Sequence, residues 1–531
     1  MDDARKIPLV IGVTGHLDLR EEELETLRSA VKRELEKLRE KYPHTPAVML
    51  CALARGADLL CADAGEEAGI PLRAVLPVER EEYEKDFGEA DLARFRHHLD
   101  RAEKVYTAAD AEEAAENASR DGGYRRAGIH TAEHSHILLA LWDGKEGGPN
   151  GTAAAVNAAL RSGWQPRHGT ASRCAENAVV IHIQTSRKDA AAEGAGTVRT
   201  LGNAEAMAEI LSRTDEFNAL AEQTDAGGER LLPEDAGAEP ELRKLETLYH
   251  TADRLSMRFA GVYRRVLIGL AASGTLLTLA FLLYDERDMI PMILLCGAML
   301  VTAFLLAGRA KRTACHRRYI EYRALAEALR VQMYLRYAGS GIEAQRLMSW
   351  TQRMETAWIL CAVCTANAER TPEKKREIRE CWPEAQEAYH RKAGRNTGRQ
   401  NGRNERLVKI LLRCSVAAYL ATLAIELLGC GLIFRPVIEV RDPGRLRTLM
   451  KIVLGALSAG TLFLSGYYGK MDLERKMSDH VKMEAFYRSM SEQLAEQGQT
   501  ENLLEALARE ELAENGNWCS YQRDNAPELN L

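Results

Sequence analysis

Residues 146–156, EGGPNGTAAAV, are the stretch whose residue types and spacing first suggest chemistry. The glycines are typical of a turn that leads into a helix, and the free N–H groups at the start of a helix bind phosphate. The first turn of this helix holds three alanines after Thr152, so it has no acid or base of its own. The stretch therefore predicts either an active site without its own acid, or a pocket that only holds a ligand.

Loops of small and polar residues also follow other apolar runs among the first 186 residues. In an open parallel sheet, ligands bind beyond the carboxyl ends of the strands, where such loops meet. We expect His16 either to contact a phosphate or a base, or to cap the helix that begins near residue 20. The predicted ligand-binding residues are Gly12, Thr14, Gly15 and His16 after the first run; Ala54, Arg55, Gly56 and Asp58 after the second; Pro77 after the third; and Trp142, Asp143, Gly144, Gly148, Asn150, Gly151 and Thr152 after the fifth.

The elements that must position these loops alternate between apolar runs and helical patterns from residue 7 to about 186. Continuous apolar strands separated by helices indicate a parallel sheet covered on both faces, and hence an α/β Rossmann-like domain over residues 1–186. Residues 187–240 are rich in Ala, Gly, Glu and Asp and predict a loosely structured connector with one or two helices. The predicted strands are IPLVIGVTG, AVMLCALA, PLRAVLP, KVYTA, HILLALWDG and AVVIHIQT, with helices at 21–40 and about 152–161 among those between them.

Residues 241–531 predict an α-helical membrane region. About 20 apolar residues cross the hydrocarbon core of a bilayer, and four segments fit: 266–284, 289–308, 414–434 and 452–469. The sequence DERD makes the turn of the first hairpin. Basic residues flank both of its ends, so both ends should face the cytoplasm. These basic residues are Arg264, Arg265, Arg309, Lys311 and Arg312.

The second hairpin carries charges that the first lacks. Glu426 lies inside its first segment. An ionisable group at membrane depth is a candidate functional group that lines a pore or pairs with another helix. The alternative is a structural glutamate that is protonated, or that snorkels towards the interface, at a contact between helices. The loop between the two segments is basic, which conflicts with an outward orientation. Its basic residues are Arg435, Arg441, Arg445, Arg447 and Lys451.

Long polar helices are predicted at about 309–340, 343–385 and 470–515. An apolar stripe on the first of them indicates a cytoplasmic helical bundle or an oligomer interface; it consists of Leu325, Leu329, Met333 and Leu335. The basic run at 390–406 is typical of a positive-inside anchor, with recognition of anionic lipid as the alternative.

Composition and motifs exclude several function classes. The net charge of −6 gives no basic field for nucleic acid, and the G-x-G-x-x-G fingerprint of ordinary NAD(P) redox binding is absent. Eleven cysteines without a framework, and no signal peptide, indicate free thiols in a reducing compartment. Cys361 and Cys364 lack a second ligand pair, and His130 and His134 lack a third ligand, so we predict no metal and no cofactor.

The segments IGVTGH, ALARGADLLCADAGEEAGIPLRAVLP and ALWDGKEGGPNGT resemble the SLOG superfamily, over roughly residues 7–186. That superfamily includes the Lonely Guy phosphoribohydrolases, the DNA-processing protein DprA and nucleotide sensors of bacterial defence systems. The enzymes carry PGGxGTxxE, and here Ala155 occupies the position that matches the glutamate, with Glu133 as a candidate substitute. The resemblance also implies an upstream ligand-binding arginine, for which Arg125 and Arg126 are the candidates.

The segments EYRALAEALRVQMYLRYAG and AREELAENGNWCSYQRD resemble the SLATT class of two-transmembrane effectors, which accompany SLOG sensors. Together the two resemblances imply a membrane effector of bacterial anti-phage defence, in the inner membrane with both terminal regions cytoplasmic. We expect a homo-oligomer, because four helices from one chain seldom enclose a pore. Its signal would be an ADP-ribose or NAD derivative or a cyclic nucleotide, with phosphates at Gly15 and Gly151 and charge neutralised by Arg125, Arg126 or Arg55.

Two alternatives stay open. A membrane-anchored nucleotide phosphoribohydrolase would use the same pocket with Glu133 or Asp143 as its acid. The missing glutamate therefore makes enzymatic activity less expected but does not exclude it. A structural or transporter-like membrane protein would carry the first domain as a vestige, although its loops keep glycines and polar groups that such a role does not need.

Overall fold

A computed structural model describes most of the chain as two compact units. The sheet unit comprises residues 1–255, 323–376 and 504–517, and the helical unit comprises 256–322, 377–503 and 518–531. The described residues are 4–107, 120–148, 150–160, 179–188, 193–225, 227–233, 239–287, 289–349, 356–367, 376–428 and 442–525.

In the part of the chain that the structure describes, the sheet unit is built on seven strands in the order β4-β3-β2-β1-β5-β6-β7. The first six are parallel, which confirms the predicted parallel arrangement for these strands, whereas β7 pairs antiparallel with β6. The strands are β1 (Leu9–Gly15), β2 (Ala47–Cys51), β3 (Leu72–Leu76), β4 (Lys104–Thr107), β5 (Ile137–Trp142), β6 (Val179–Gln184) and β7 (Val198–Gly202).

Helices follow the strands as the alternating pattern predicted. The first buries one face through Leu27, Val31 and Leu35, and complete burial of such side chains stabilises a fold by about 1.5–3 kcal/mol each. A 3₁₀ turn occupies the first part of the helix predicted at 21–40, and residue 161 of the predicted 152–161 helix lies outside the described residues. The helices are α1 (Leu24–Lys41), α2 (Ala57–Glu67), α3 (Arg80–Tyr83), α4 (Glu89–Arg101), α5 (Arg120–Glu133), α6 (Thr152–Leu160) and α7 (Ala204–Ala221).

The segment expected to be a loose connector adds structure to the sheet. It contributes strand β7, which was not predicted, and α7, which buries Met207, Ile210 and Phe217. The side chain of Asn218 accepts from the N–H of Ile7 and donates to its carbonyl, at 2.9 Å each. Partly exposed polar residues along β7 explain why its sequence carried no strand signal.

Among the described residues, the helical unit holds apolar segments of four helices that are long and apolar enough to cross a membrane: α8 (Pro240–Arg287), α9 (Pro291–Thr313), α13 (Ala385–Leu428) and α14 (Pro443–Met471). Large apolar side chains on them are exposed, including Leu294 at 75% and Leu462 at 71%. This exposure and composition support association with a membrane. The predicted spans fall in these helices, apart from residues 289–290, which precede α9, and 429–434, which lie outside the described residues.

The turn of the first hairpin lies later than predicted. Helix α8 continues through Arg287, and α9 begins with Pro291 in its first turn, a position that proline favours. Three of the four DERD residues are therefore helical.

Glycines let the apolar helices approach one another closely. A Cβ at Gly274 would lie 2.4 Å from Phe463, and a Cβ at Gly455 would lie 2.6 Å from Leu282, so α8 and α14 meet at both positions. Small residues at such crossings are typical of packing between membrane helices.

The polar helices are shorter than predicted. Ala314 and Asp472 adopt left-handed backbone conformations that end one helix and start the next, and 343–385 contains several short elements. The predicted apolar stripe at Leu325, Leu329, Met333 and Leu335 is buried within the chain, which favours a bundle over an oligomer interface. The elements are α10 (Cys315–Tyr337), α11 (Ala344–Leu347), α12 (Ala357–Asn367), a π-helix (Glu380–Glu384), α15 (Leu473–Gln497) and α16 (Glu501–Asp524).

Three helices are shared by the two units. The division between the units falls after Leu255 within α8, after Tyr322 within α10 and after Asn517 within α16. The chain therefore passes from one unit to the other through continuous helix at these points.

Candidate functional site at the carboxyl edge of the sheet

The strand order reverses between β1 and β5, which lie side by side at the centre of the sheet. Loops that leave neighbouring strands in opposite directions open a crevice at such a switch point. The N–H of His16 donates to the carbonyl of Leu141 at 3.1 Å, so the pairing of β1 and β5 continues into the first loop. The edge predicted from the sequence is therefore organised around this pair of strands.

His16 and Asp143 meet at this crevice. The backbone N–H of Asp143 donates to Nε2 of His16 at 3.0 Å, and Oδ1 of Asp143 lies 3.2 Å from the same nitrogen. Burial lowers the pKa of His16 more than the neighbouring Asp143 raises it, so the ring is neutral at pH 7. Because Nε2 accepts a hydrogen bond, we assign the proton to Nδ1, which has no partner among the described residues.

The carboxylate of Asp143 is held in its ionised form. Burial raises its pKa, but the hydrogen bond from the Lys145 N–H and the positive charge of Arg187 lower the pKa below its ordinary value. The Lys145 N–H donates to Oδ1 and Nε of Arg187 donates to Oδ2, both at 3.1 Å. A carboxylate with a lowered pKa is a poor general acid at neutral pH but a good acceptor for hydroxyl groups.

The end of the first strand supplies three of the predicted residues. Gly12, Thr14 and Gly15 lie on β1 itself, so they are part of the sheet and not of the loop that follows it. A Cβ at Gly15 would lie 2.3 Å from the Cβ of Ala57, so this glycine allows α2 to start close against the strand.

Gly56 closes the second loop onto the first. Its φ is +81°, and a Cβ there would lie 2.4 Å from the carbonyl oxygen of Leu17. The next residue, Ala57, donates its N–H to the carbonyl of His16 at 3.0 Å. At Gly56, which was predicted to bind a ligand, the backbone of the neighbouring loop therefore makes the close approach.

Asp58 supports this loop from inside. Its Oδ2 accepts the N–H of Ala54 at 3.2 Å, and burial raises its pKa to about 7 although that hydrogen bond opposes the rise. Arg55, on the same loop, is exposed to solvent. The structure thus makes Asp58 part of the interior and leaves Arg55 at the surface.

The glycine-rich loop after β5 is exposed and ends at Thr152, the buried first residue of α6. Gly148, Asn150 and Gly151 are exposed, and the N–H groups of Ala154 and Ala155 already bond to the carbonyl of Gly151. The N–H of Gly151, a predicted phosphate position, donates instead to the carbonyl of Gly148 at 3.1 Å. The amides of Thr152 and Ala153 at the start of α6 have no partner inside the helix and can take an anion.

Two further predicted residues shape the first part of this loop. The indole N–H of Trp142 donates to the carbonyl of Lys145 at 2.9 Å. Gly144 has a φ of +80°, which is a conformation that glycine adopts more readily than any other residue.

Ala155 has a packing role. Ala155 is buried on α6, and a Cβ added at Gly128 of α5 would lie 3.8 Å from the Cβ of Ala155. This position, at which the resemblance predicted a missing glutamate, therefore faces the neighbouring helix.

Helix α5 carries the remaining predicted residues. Arg125 is exposed and makes no ion pair with a described residue, Arg126 is half-buried, and a Cβ at Gly123 would meet the carbonyl of Pro77 at 2.2 Å. The rings of His130 and His134 stack with centroids 3.9 Å apart, which is not the arrangement of two ligands around one ion.

Comparison with known proteins returned no match. No family model, curated protein or solved structure matches the chain. The chemistry of the site therefore carries the functional interpretation.

The sequence did not single out Arg187, which binds Asp143, or Gln184, whose amide donates to the Asp143 carbonyl at 3.3 Å. Gln184 ends β6 and Arg187 follows shortly after it, beside β5. Ligands bind beyond the carboxyl ends of parallel strands. Applying this rule to β6, the last parallel strand, would have found both residues.

Glu426 lies in the helical unit and is paired. Arg447 of α14 donates to both of its carboxylate oxygens, at 2.6 and 2.7 Å. Lys451 pairs with Glu286 at 2.9 Å, and Arg445 pairs with Asp442 at 3.1 Å. Three basic residues of the region that conflicted with an outward orientation are thus neutralised by acidic partners. The other two, Arg435 and Arg441, lie outside the described residues.

Proposed function

We propose that the chain is a membrane effector controlled by a nucleotide-derived ligand, which binds at the carboxyl edge between β1 and β5. The observation that carries this proposal is the cluster of His16, Asp143 and Arg187 beside an exposed glycine-rich loop at a helix start. Purely structural packing does not require a neutral histidine, an ionised carboxylate and an arginine to converge at a switch point.

The ligand chemistry follows from these groups. The amides at the start of α6 suit a phosphate, and Arg187, bound to Asp143 in the loop that leads to α6, supplies a positive charge. The carboxylate of Asp143 suits ribose hydroxyls, and Nδ1–H of His16 suits a phosphate oxygen or a base. This set favours a ligand with both ribose and phosphate, such as an ADP-ribose derivative, an NAD-related molecule or a cyclic nucleotide.

Coupling to the membrane would run through the helices that both units share. Continuous helices transmit a change in packing, and a ligand shifts the equilibrium only by its difference in affinity for the two states. In this proposal the chain assembles as a homo-oligomer and permeabilises or disrupts the membrane, since four apolar helices seldom enclose a pore alone.

The resemblance to SLOG sensors and SLATT effectors favours a role in bacterial anti-phage defence. The chain would lie in the inner membrane with its terminal regions in the cytoplasm. The hydrolase remains the second candidate, and two features weigh against it: the lowered pKa of Asp143, and the packed Ala155 where the enzymes carry glutamate.

Ligand-induced stabilisation of the full chain in lipid nanodiscs tests the proposal. Each compound of a panel is added, the melting temperature is measured, and the mixture is then analysed by mass spectrometry. The panel contains ADP-ribose, its cyclic isomers, NAD, AMP and cyclic di- and trinucleotides. At 100 times its Kd a ligand stabilises the folded state by about 2.7 kcal/mol.

Gly151→Glu and Gly151→Gln form a matched pair for this test. A Cβ at Gly151 meets its nearest described neighbour at 3.5 Å, an ordinary contact, so both variants should fold. We expect the glutamate variant to lose the stabilisation and the glutamine variant to keep part of it. An intact ligand that also triggers dye release from liposomes supports the effector. Recovery as free base and ribose phosphate supports the hydrolase, and no stabilisation by any compound contradicts both.

A further inference from the structure

A second cluster of chemically active side chains joins α2 to α4 in the sheet unit. It consists of Glu66 near the end of α2 and of His97 and His98 near the end of α4, and their ligand atoms all lie within 4.8 Å of one another. None of these residues belongs to the site between β1 and β5.

The distances suit one metal ion bound by all three side chains. Oε2 of Glu66 lies 2.9 Å from Nε2 of His97 and 3.7 Å from Nδ1 of His98. Zinc binds nitrogen and oxygen ligands at about 2.0–2.1 Å, which puts neighbouring ligands of a tetrahedral site roughly 3.3 Å apart. The two observed distances lie on either side of this value.

Outer partners orient the ligands. Oδ1 of Asp63 lies 2.7 Å from Nε2 of His98, which places the proton on that nitrogen and leaves Nδ1 as a lone pair directed at Glu66. Arg94 donates to the other oxygen of Asp63 at 2.6 Å, and Arg101 lies 3.2 Å from Oε1 of Glu66. Such a carboxylate behind a ligating histidine is the usual arrangement around protein-bound zinc.

We propose that Glu66, His97 and His98 form a site for a divalent transition metal that prefers imidazole, of which Zn²⁺ is the type. Three protein ligands leave a fourth coordination position open. A cavity of about 260 Å³, lined in part by Glu66 and His98, adjoins the cluster. The ion would clamp α2 to α4. Because α2 starts at the Gly56 loop, the clamp would stabilise that part of the sheet edge.

The chain offers a matched control. His44 and Glu222 also pair, at 3.2 Å between Nδ1 and Oε1, and both are similarly exposed. The contacts of His44 include no second histidine and no carboxylate behind its ring among the described residues. An ordinary surface pair of this kind should bind no metal, so His44→Ala should leave metal binding unchanged.

Titration of the purified full chain with Co²⁺ and with Zn²⁺ against a chromophoric chelator tests the site. We expect one metal per chain, with a cobalt spectrum that lacks the thiolate charge-transfer band. His97→Ala and Glu66→Gln alter side chains exposed by 48% and 39%, so these variants should fold. Each should weaken binding by more than the roughly 10–100-fold expected for the outer-partner variant Asp63→Asn.

Equal affinity in wild type and His97→Ala would overturn the proposal, as would a thiolate band that accounts for all bound cobalt. Loss in His97→Ala together with retention in His44→Ala would establish it. Neither result depends on whether a nucleotide binds at the β1–β5 edge.

Discussion

The two units of the chain hold charge in different ways. At the sheet edge, backbone N–H groups contact the ionisable side chains: Asp143 donates its N–H to His16, Lys145 to Asp143, and Ala54 to Asp58. In the helical unit, a side chain of opposite sign takes this role, as Arg447 does for Glu426.

The difference follows from the elements. A loop beyond a strand has backbone amides without partners, which can bind a charged side chain. The amides of an apolar helix are already bonded within the helix, so a charged side chain there can be stabilised only by another side chain. We therefore expect the sheet edge to respond mainly to pH and backbone conformation, and the helical unit mainly to removal of one charge of a pair.

The largest expected effect is the pH dependence of Asp58. Its pKa is about 7 in the folded chain against an ordinary value of 3.8, because burial disfavours the carboxylate. The unfolded chain releases the proton above about pH 4 while the folded chain keeps it until about pH 7. The contribution to stability is therefore complete below pH 4 and lost as the pH rises through 7, by at most about 4 kcal/mol.

Chemical unfolding of wild type and Asp58→Asn at pH 5 and pH 8 measures this contribution. Asparagine keeps an acceptor for the Ala54 N–H and cannot ionise, so the variant should lose less stability over that interval. The same loss in both proteins would show that Asp58 does not titrate in this range.

The next largest effect is expected at Glu426. Glu426→Gln leaves Arg447 without its charged partner among apolar helices, where an uncompensated charge costs about 3 kcal/mol. SDS titration of the chain in mixed micelles measures the free energy of unfolding. The exchange Glu426→Arg with Arg447→Glu should recover part of the loss in a double-mutant cycle. A cost below about 0.5 kcal/mol would place the pair in a water-like environment.

Gly56→Ala tests the backbone side of the comparison and should cost about 2–3 kcal/mol. The variant combines a positive φ with a Cβ that would lie 2.4 Å from the Leu17 carbonyl oxygen. Gly69→Ala is the control for a positive φ alone, since Gly69 has a φ of +67° and no atom of a described residue lies within 4 Å of an added Cβ. We expect it to cost about 1 kcal/mol. Equal unfolding free energies for the two variants would mean that the loops separate to admit the methyl group.

The sequence predicted the parts of the fold that depend on local pattern. Continuous apolar runs indicated six strands in their correct places, and uncharged segments indicated the apolar helices. Strand β7 was not predicted, because an edge strand with polar residues such as Arg199 and Thr200 lacks apolar alternation. Pairing of Glu426 with another helix was one of the predicted alternatives, but its partner Arg447 was not predicted, because the choice of partner depends on how two helices pack.

The site shows the same division. The prediction that ligands bind beyond the carboxyl ends of parallel strands brought the loops of His16 and Asp143 together, since the strands and the loop composition are both local signals. It did not separate residues that line the crevice from residues that support it, such as Asp58 and Gly56, because that distinction depends on the direction of each side chain.

The smallest expected effects lie at the start of α14, where both ways of holding charge occur in one residue. Oδ1 of Asp442 accepts the N–H of Arg445 as an N-cap, and Oδ2 pairs with the Arg445 guanidinium, which is 82% exposed. Asp442→Ala removes cap and ion pair and should cost about 1 kcal/mol. Arg445→Gln removes the ion pair alone and should cost less than about 0.5 kcal/mol, as exposed pairs do. The same SDS titration compares them. Equal free energies of unfolding for Arg445→Gln and Asp442→Ala would mean that the ion pair contributes more than the N-cap even at this exposed end of α14. Pairing between side chains would then hold charge there as it does at Glu426.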